Sequence, residues 1–170
     1  LLGRAISSDE LTDWFLGVDA GDLVMIVDAC HSAAAVEGDG GFKPGPMGSR
    51  GLGQLAYNKG MRVLAASQAE NFAFELDELQ QGLLTYSLIR DGLEGGLADH
   101  EPQDREITLT EWLSYAVERV PTLYAEVQSG EFTGRAEVIG GPSTDPLFQQ
   151  PSLFDFAKGK ATDAVLQNIP

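Results

Sequence analysis

Two largely apolar runs constrain this chain more than any other feature: LVMIV at 23–27, which is continuous, and MRVLAA at 61–66, broken only by Arg62. A strand with one wet face alternates apolar and polar residues. A short continuous run bounded by turn residues is the pattern of a strand covered on both faces, as in a parallel sheet. Asp19-Ala20-Gly21-Asp22 is the turn before the first run, and Asp28-Ala29-Cys30 stands at its carboxyl end. In open α/β sheets that edge is where ligands bind. The flanking segments read as helices. Ser7-Ser8-Asp9-Glu10 is a helix start, with Leu11, Trp14 and Phe15 following at helical spacing as far as Gly17. Strands alternating with helices predict an α/β fold.

The rest of the chain divides by composition. Residues 37–53 are rich in Gly and Pro, which predicts a loop, and residues 67–81 read as a polar, acidic loop. GLLTYSLIRDGL at 82–93 is an amphipathic helix closed by Gly95-Gly96. Thr108-Leu109-Thr110-Glu111 opens another helix, with Trp112, Leu113, Ala116, Val117 and Val120 on one face. Pro121 is expected to kink or end it before the pattern resumes through Tyr124 and Val127. Residues 129–146 are turn-rich, and Pro151 to Phe156 reads as an edge strand or a tail packed on the core. No internal repeat is present.

With 170 residues the chain can bury one sizeable core. Its net charge of −15, from 26 acids against 11 bases, argues against nucleic acid or an anionic membrane surface as partner. No apolar run approaches the roughly 18 residues of a membrane span. One cysteine makes no internal disulfide, so a reducing, cytoplasmic setting is expected. The chain opens on Leu1 and not on Met, which leads us to expect a fragment, either cut from a longer sequence or released by proteolysis.

That single cysteine, Cys30, follows a strand end and has polar neighbours, Asp28, His31 and Ser32. The small residues Ala33 to Ala35 leave backbone amides accessible near the sulfur. A buried core thiol is the plain alternative; a nucleophile is the sharper one. A nucleophilic thiol needs a base, and the chain has two histidines. His31 is adjacent in sequence and poorly directed to reach Cys30. His100 lies in an acidic loop and reads as a solvated side chain. One Cys and two separated His give no zinc spacing, there is no second thiol for redox exchange, and the glycines at 38–53 fit no phosphate-binding fingerprint.

VDACHS, then VLAASQAENFAFE and GLLTYSLIRDGL, resembles the caspase-like cysteine peptidases, in particular the metacaspase, orthocaspase and paracaspase branch widespread in bacteria. The resemblance covers residues 6 to about 95, and the tail QQPSLFDF is of a kind that follows such domains. It implies a caspase-like three-layer α/β sandwich of which this chain supplies the later strands and helices. Residues 1–36 would end the large-subunit-like part, 37–60 would be a flexible linker, and 61–170 the small-subunit-like part and tail. Cys30 would be the nucleophile. The family's general-base His would lie upstream of Leu1, on an N-terminal fragment of the same precursor. Ala33 departs from the family's usual Gly.

The same resemblance implies a substrate. Asp28, two residues before Cys30, would line the primary specificity pocket and select a basic residue, with Glu75 as a second acid and Ser67 and Gln68 as the wall. A guanidinium is suited by carboxylates arranged for paired hydrogen bonds. The plain alternatives are a strand-end cap for Asp28 and a solvated loop acid for Glu75. Arg50 is a candidate self-processing site, and Lys43 a poorer one because Pro44 follows it. The chemistry needs no metal. Some metacaspase relatives need calcium, for which the acids at 37–39, 75–78 and 99–106 are candidate donors without EF-hand-like spacing. The implied activity is an endopeptidase of bacterial stress, cell death or defence, cutting after Arg and, less well, Lys. A non-catalytic scaffold of the same fold is the alternative.

Overall fold

The computed structural model describes residues 8–28, 52–66, 75–76, 81–132, 136–137, 149–157 and 163–169. Its centre is a three-stranded sheet in the order β1-β2-β7. Strand β1 (Val24–Val27) pairs in parallel with β2 (Arg62–Ala65), with Val24 opposite Arg62 and Val27 opposite Ala65. Strand β7 (Ser152–Asp155) runs antiparallel on the other side of β2. Both apolar runs are therefore strands, and the tail is a strand at the sheet edge.

Alternation along the strands sends side chains to two faces. Val24, Leu64 and Leu153 pack with Leu83, Leu84, Leu88, Leu113 and Leu123 on one side. Met25, Val63 and Phe154 pack with Phe15 and Ala56 on the other. Helices thus cover both faces: α1 (Ser8–Leu16) and α2 (Leu52–Lys59) on the second, and the long C-terminal helix on the first. The molecule is α/β, as the sequence predicts. Lys59 joins α2 to α1 by donating to the carbonyls of Leu16 (2.7 Å) and Val18 (2.6 Å), where a cation suits the negative end of a helix.

Three expectations change. The span 37–60 is not all linker, because residues 52–59 form α2, whose Leu55 and Ala56 are buried. Strand β1 is not covered on both faces: Ile26 is 38% exposed, whereas all four residues of β2 are buried. Among the described residues β1 is an edge strand, so only one flank is paired. The polar segment 67–81 contains the short strand β3 (Glu75–Leu76), which pairs antiparallel with both β4 (Gln81–Gly82) and β6 (Ala136–Glu137). On α1, Trp14 lies at the surface. It is 58% exposed, and Phe15 carries the packing of α1.

The amphipathic segment 82–93 is helical, as α3 (Leu83–Tyr86) followed by a π-helical segment, Ser87–Glu94. Its wide register shows in the bond from the Gly95 amide to the Arg90 carbonyl, 2.9 Å. Trp112 donates its indole N–H to the Leu88 carbonyl (2.8 Å), and Arg119 ties the segment down through Asp91 at 2.6 Å. Arg119 also grips Glu126 with two bonds, 2.7 and 2.9 Å, which hold that carboxyl below its ordinary pKa. Beside them, burial first and the charge of Asp91 second push the Tyr115 hydroxyl up to about 12.

The C-terminal helix α4 (Leu109–Ser129) starts with the expected capping box, Thr108 and Glu111 bonding each other's backbone amides. It ends at Gly130, whose φ of 75° suits glycine. Strand β5 (Glu106–Thr108) precedes it and pairs with β8 (Val165–Asn168), a pairing the sequence reading did not foresee.

Contrary to expectation, α4 continues through Pro121. Proline has no N–H, so the carbonyl four residues back, Val117, loses its helical donor. The Gln150 side chain supplies one: Nε2 donates to the Val117 carbonyl at 3.2 Å. Leu113, Ala116 and Val120 before the proline, and Leu123 and Tyr124 after it, are buried in one cluster, so packing holds the helix on both sides. Replacing Gln150 with Ala is expected to cost about 1 kcal/mol. In a Pro121→Ala background, where residue 121 regains its amide, the same change is expected to cost little. Chemical denaturation of the four proteins in this cycle checks the coupling, and additive losses would contradict it.

Candidate functional site at the carboxyl edge of the sheet

Strands β1 and β2 are parallel and in register, so their carboxyl ends lie side by side. The Ala66 amide donates to the Val27 carbonyl at 2.9 Å. Gln149, fully buried, donates from Nε2 to the Ala66 carbonyl at 3.3 Å. The chain leaves the sheet at Asp28, two residues before Cys30, and at Ala66, one residue before Ser67. The two exits are thus neighbours fixed by backbone bonds. Cys30, His31, Arg50, Ser67 and Gln68 themselves lie outside the described residues, as do Lys43 and the acids at 37–39.

Asp28 is exposed and sits just past β1. Its Oδ2 accepts two hydrogen bonds from Thr85, one from the backbone N–H (3.1 Å) and one from the hydroxyl (2.5 Å). The reason is local. Helix α3 begins at Gly82, which has no side chain to satisfy the first-turn amides, and no side-chain cap comes from that position. The carboxylate of Asp28 does the capping from across the sheet edge. It lies flat against Gly82: a Cβ there would stand 2.6 Å from Oδ1 and 2.7 Å from Cγ.

Glu75 enters through the same glycine. In the β3–β4 pair the Cα partner of Glu75 is Gly82. One residue therefore touches the Asp28 carboxylate and pairs with the backbone of Glu75, which brings the two predicted acid positions to one corner of the molecule. Thr85, Gly82 and Gln149 escaped the sequence reading. A helix that opens on glycine was the available signal, because it must borrow an acceptor from elsewhere.

The opposite edge is built from charge pairs. Arg62, 6% exposed at the start of β2, faces Asp155 and Asp163 at 3.3 Å and Asp22 at 3.6 Å. Burial disfavours the ionised Asp163, but the Thr110 hydrogen bonds and the charge of Arg62 outweigh it and hold the carboxyl below its ordinary value. His100 lies beside the first turns of α4. It is half-buried, its Nδ1 is 2.9 Å from the Ala98 carbonyl, and its ring meets Tyr115 edge-on. It is thus not the freely solvated side chain expected. Two of the acids at 99–106 bond backbone amides: Asp99 accepts from Asp104 and Arg105, and Asp104 accepts from Glu106. Among the described residues no group of three or more His, Cys, Asp or Glu is arranged to hold a metal ion. Among them, too, no helix is long and apolar enough to cross a membrane.

Compared with family models, curated proteins and solved structures, the chain gives no match.

Chemically, the carboxyl edge offers an exposed, hydrogen-bonded carboxylate two residues before the only thiol in the sequence. The contact at Gly82 gives it a steric test. The φ of Gly82, −70°, suits any residue, so Gly82→Ala carries no backbone penalty of its own. Its methyl group would displace Asp28 from Thr85. A loss of about 1–3 kcal/mol in chemical denaturation is expected. In the Asp28→Ala background, where the carboxylate is gone, the loss should largely disappear.

Proposed function

We propose that this chain is the cysteine-bearing portion of a caspase-like peptidase that cleaves after basic residues, Arg before Lys. The observation that carries the reading is Asp28. A carboxylate two residues before the thiol is held at the sheet edge where α/β proteins bind ligands, beside the exit that leads to Ser67 and Gln68. Two parallel strands followed by an antiparallel one from the SLFD segment, with helices on both faces, are compatible with the later half of that fold.

In this reading the Cys30 thiolate attacks the scissile carbonyl. The Cys30 backbone N–H stabilises the oxyanion. A histidine on the N-terminal fragment of the precursor protonates the leaving amine, and water then hydrolyses the acyl-enzyme. Asp28, with Glu75 nearby, pairs with the basic side chain before the scissile bond, and Ser67 and Gln68 form the wall. The N-terminal fragment would add its strands along the edge of β1, which is unpaired among the described residues and leaves Ile26 38% exposed. Processing at Arg50 and a cytoplasmic role in bacterial stress, cell death or defence belong to the same proposal. So does calcium, as a factor to supply in assays. The Asp28–Thr85 bonds are also what a purely structural cap would make, which is the ground for the second reading, a non-catalytic scaffold.

The test is turnover of matched fluorogenic peptides ending in Arg, Lys or Asp. The sample is this chain assembled with the polypeptide that precedes it, with calcium supplied and Cys30→Ala as control. We expect Arg cleavage, weaker Lys cleavage, and loss of both in the control. Cleavage after Asp would remove the pocket roles of Asp28 and Glu75. Silence toward all three peptides would favour the scaffold.

A further inference from the structure

We infer that Thr85 is a positioning residue for the pocket acid: it fixes the Asp28 carboxylate in one orientation and so sets the affinity for a basic side chain. The inference rests on the pocket reading of Asp28 given above. An exposed aspartate just past a strand end ordinarily samples several rotamers, and a cation that binds it must first order it. Here the ordering is done in advance. Two donors of one residue, the Thr85 amide and hydroxyl, converge on Oδ2. Gly82 closes one side of the carboxylate, since any side chain there would overlap it. The hydroxyl is the part of this arrangement that helix capping does not require, because the amide bond alone satisfies the orphan donor. With Oδ2 committed to Thr85, Oδ1 is the oxygen offered to a guanidinium or ammonium group. Thr85 itself makes no contact with substrate in this scheme.

The variant that isolates the hydroxyl is Thr85→Val, which keeps the shape and the amide. Thr85→Ser keeps the hydroxyl on a smaller side chain. Thr85→Ala stands in should the valine form fail to fold, as judged by circular dichroism. The assembled protein would be assayed for KM and kcat with the Arg peptide, and for inhibition by benzamidine, a compact amidinium probe. We expect Thr85→Val or Thr85→Ala to raise both KM and the benzamidine inhibition constant about 3- to 10-fold, the range for freeing one ordered side chain. kcat should stay within about twofold, and Thr85→Ser should restore binding. Unchanged KM and inhibition constant in a folded variant would overturn the inference and leave the pocket reading intact. So would a fall in kcat alone. A parent protein that cleaves the Asp peptide, or that neither cleaves the Arg peptide nor binds benzamidine in a direct calorimetric titration, would overturn the pocket reading and the inference together.

Discussion

Strand β2 is the constraint on which the structure depends. All four of its residues are buried, and both of its edges are paired, to β1 in parallel and to β7 in the opposite sense. Backbone groups so deeply covered must be satisfied by neighbouring strands, and here they are. Because β2 is fixed, so are its two ends. At one end Arg62 meets three aspartates drawn from three separate segments, which anchors the return of the chain after β7. At the other, Ala66 bonds Val27 on one side and receives Gln149 on the other.

The same economy recurs on the helical face. A proline in the middle of α4 leaves a carbonyl without its donor, and a glutamine just before β7 supplies one. Glycine at the start of α3 leaves first-turn amides without a cap, and an aspartate past β1 provides it. In both cases a polar group at a sheet-strand terminus completes a helix. Helix and sheet are thereby held in register by hydrogen bonds as well as by the apolar contacts of Leu64, Leu84 and Leu113. The Asp28 bond has a double character in consequence. It stabilises α3, and it orders a carboxylate beside the chain that leads to Cys30.

Much of this was legible in the sequence. The two apolar runs announced their strands, Thr108 and Glu111 their capping box, and Ser8 the first helix, because each signal is local. What was not legible depends on contacts distant in sequence. Ile26 looks as buried as Leu64 in one dimension; only its place at the sheet edge leaves it exposed. Pro121 reads as a helix breaker until Gln150 is brought beside it. Strands β3, β4 and β6 are two residues each and have no period to detect, and β8 pairs with β5 across a long sequence gap. At the candidate site Asp28 does stand just past the strand, where the sequence puts it, while its partner Thr85 was hidden inside an ordinary amphipathic helix.

The most direct measurement of the central claim is covalent labelling. A peptide with a terminal arginine and an acyloxymethyl ketone would be offered to the assembled protein alongside its aspartate-ended twin, and the modified residue located by mass spectrometry. Our account predicts that the arginine reagent marks Cys30 selectively and that Asp28→Ala abolishes the preference. Equal labelling by both reagents, or labelling that ignores Asp28, would contradict it.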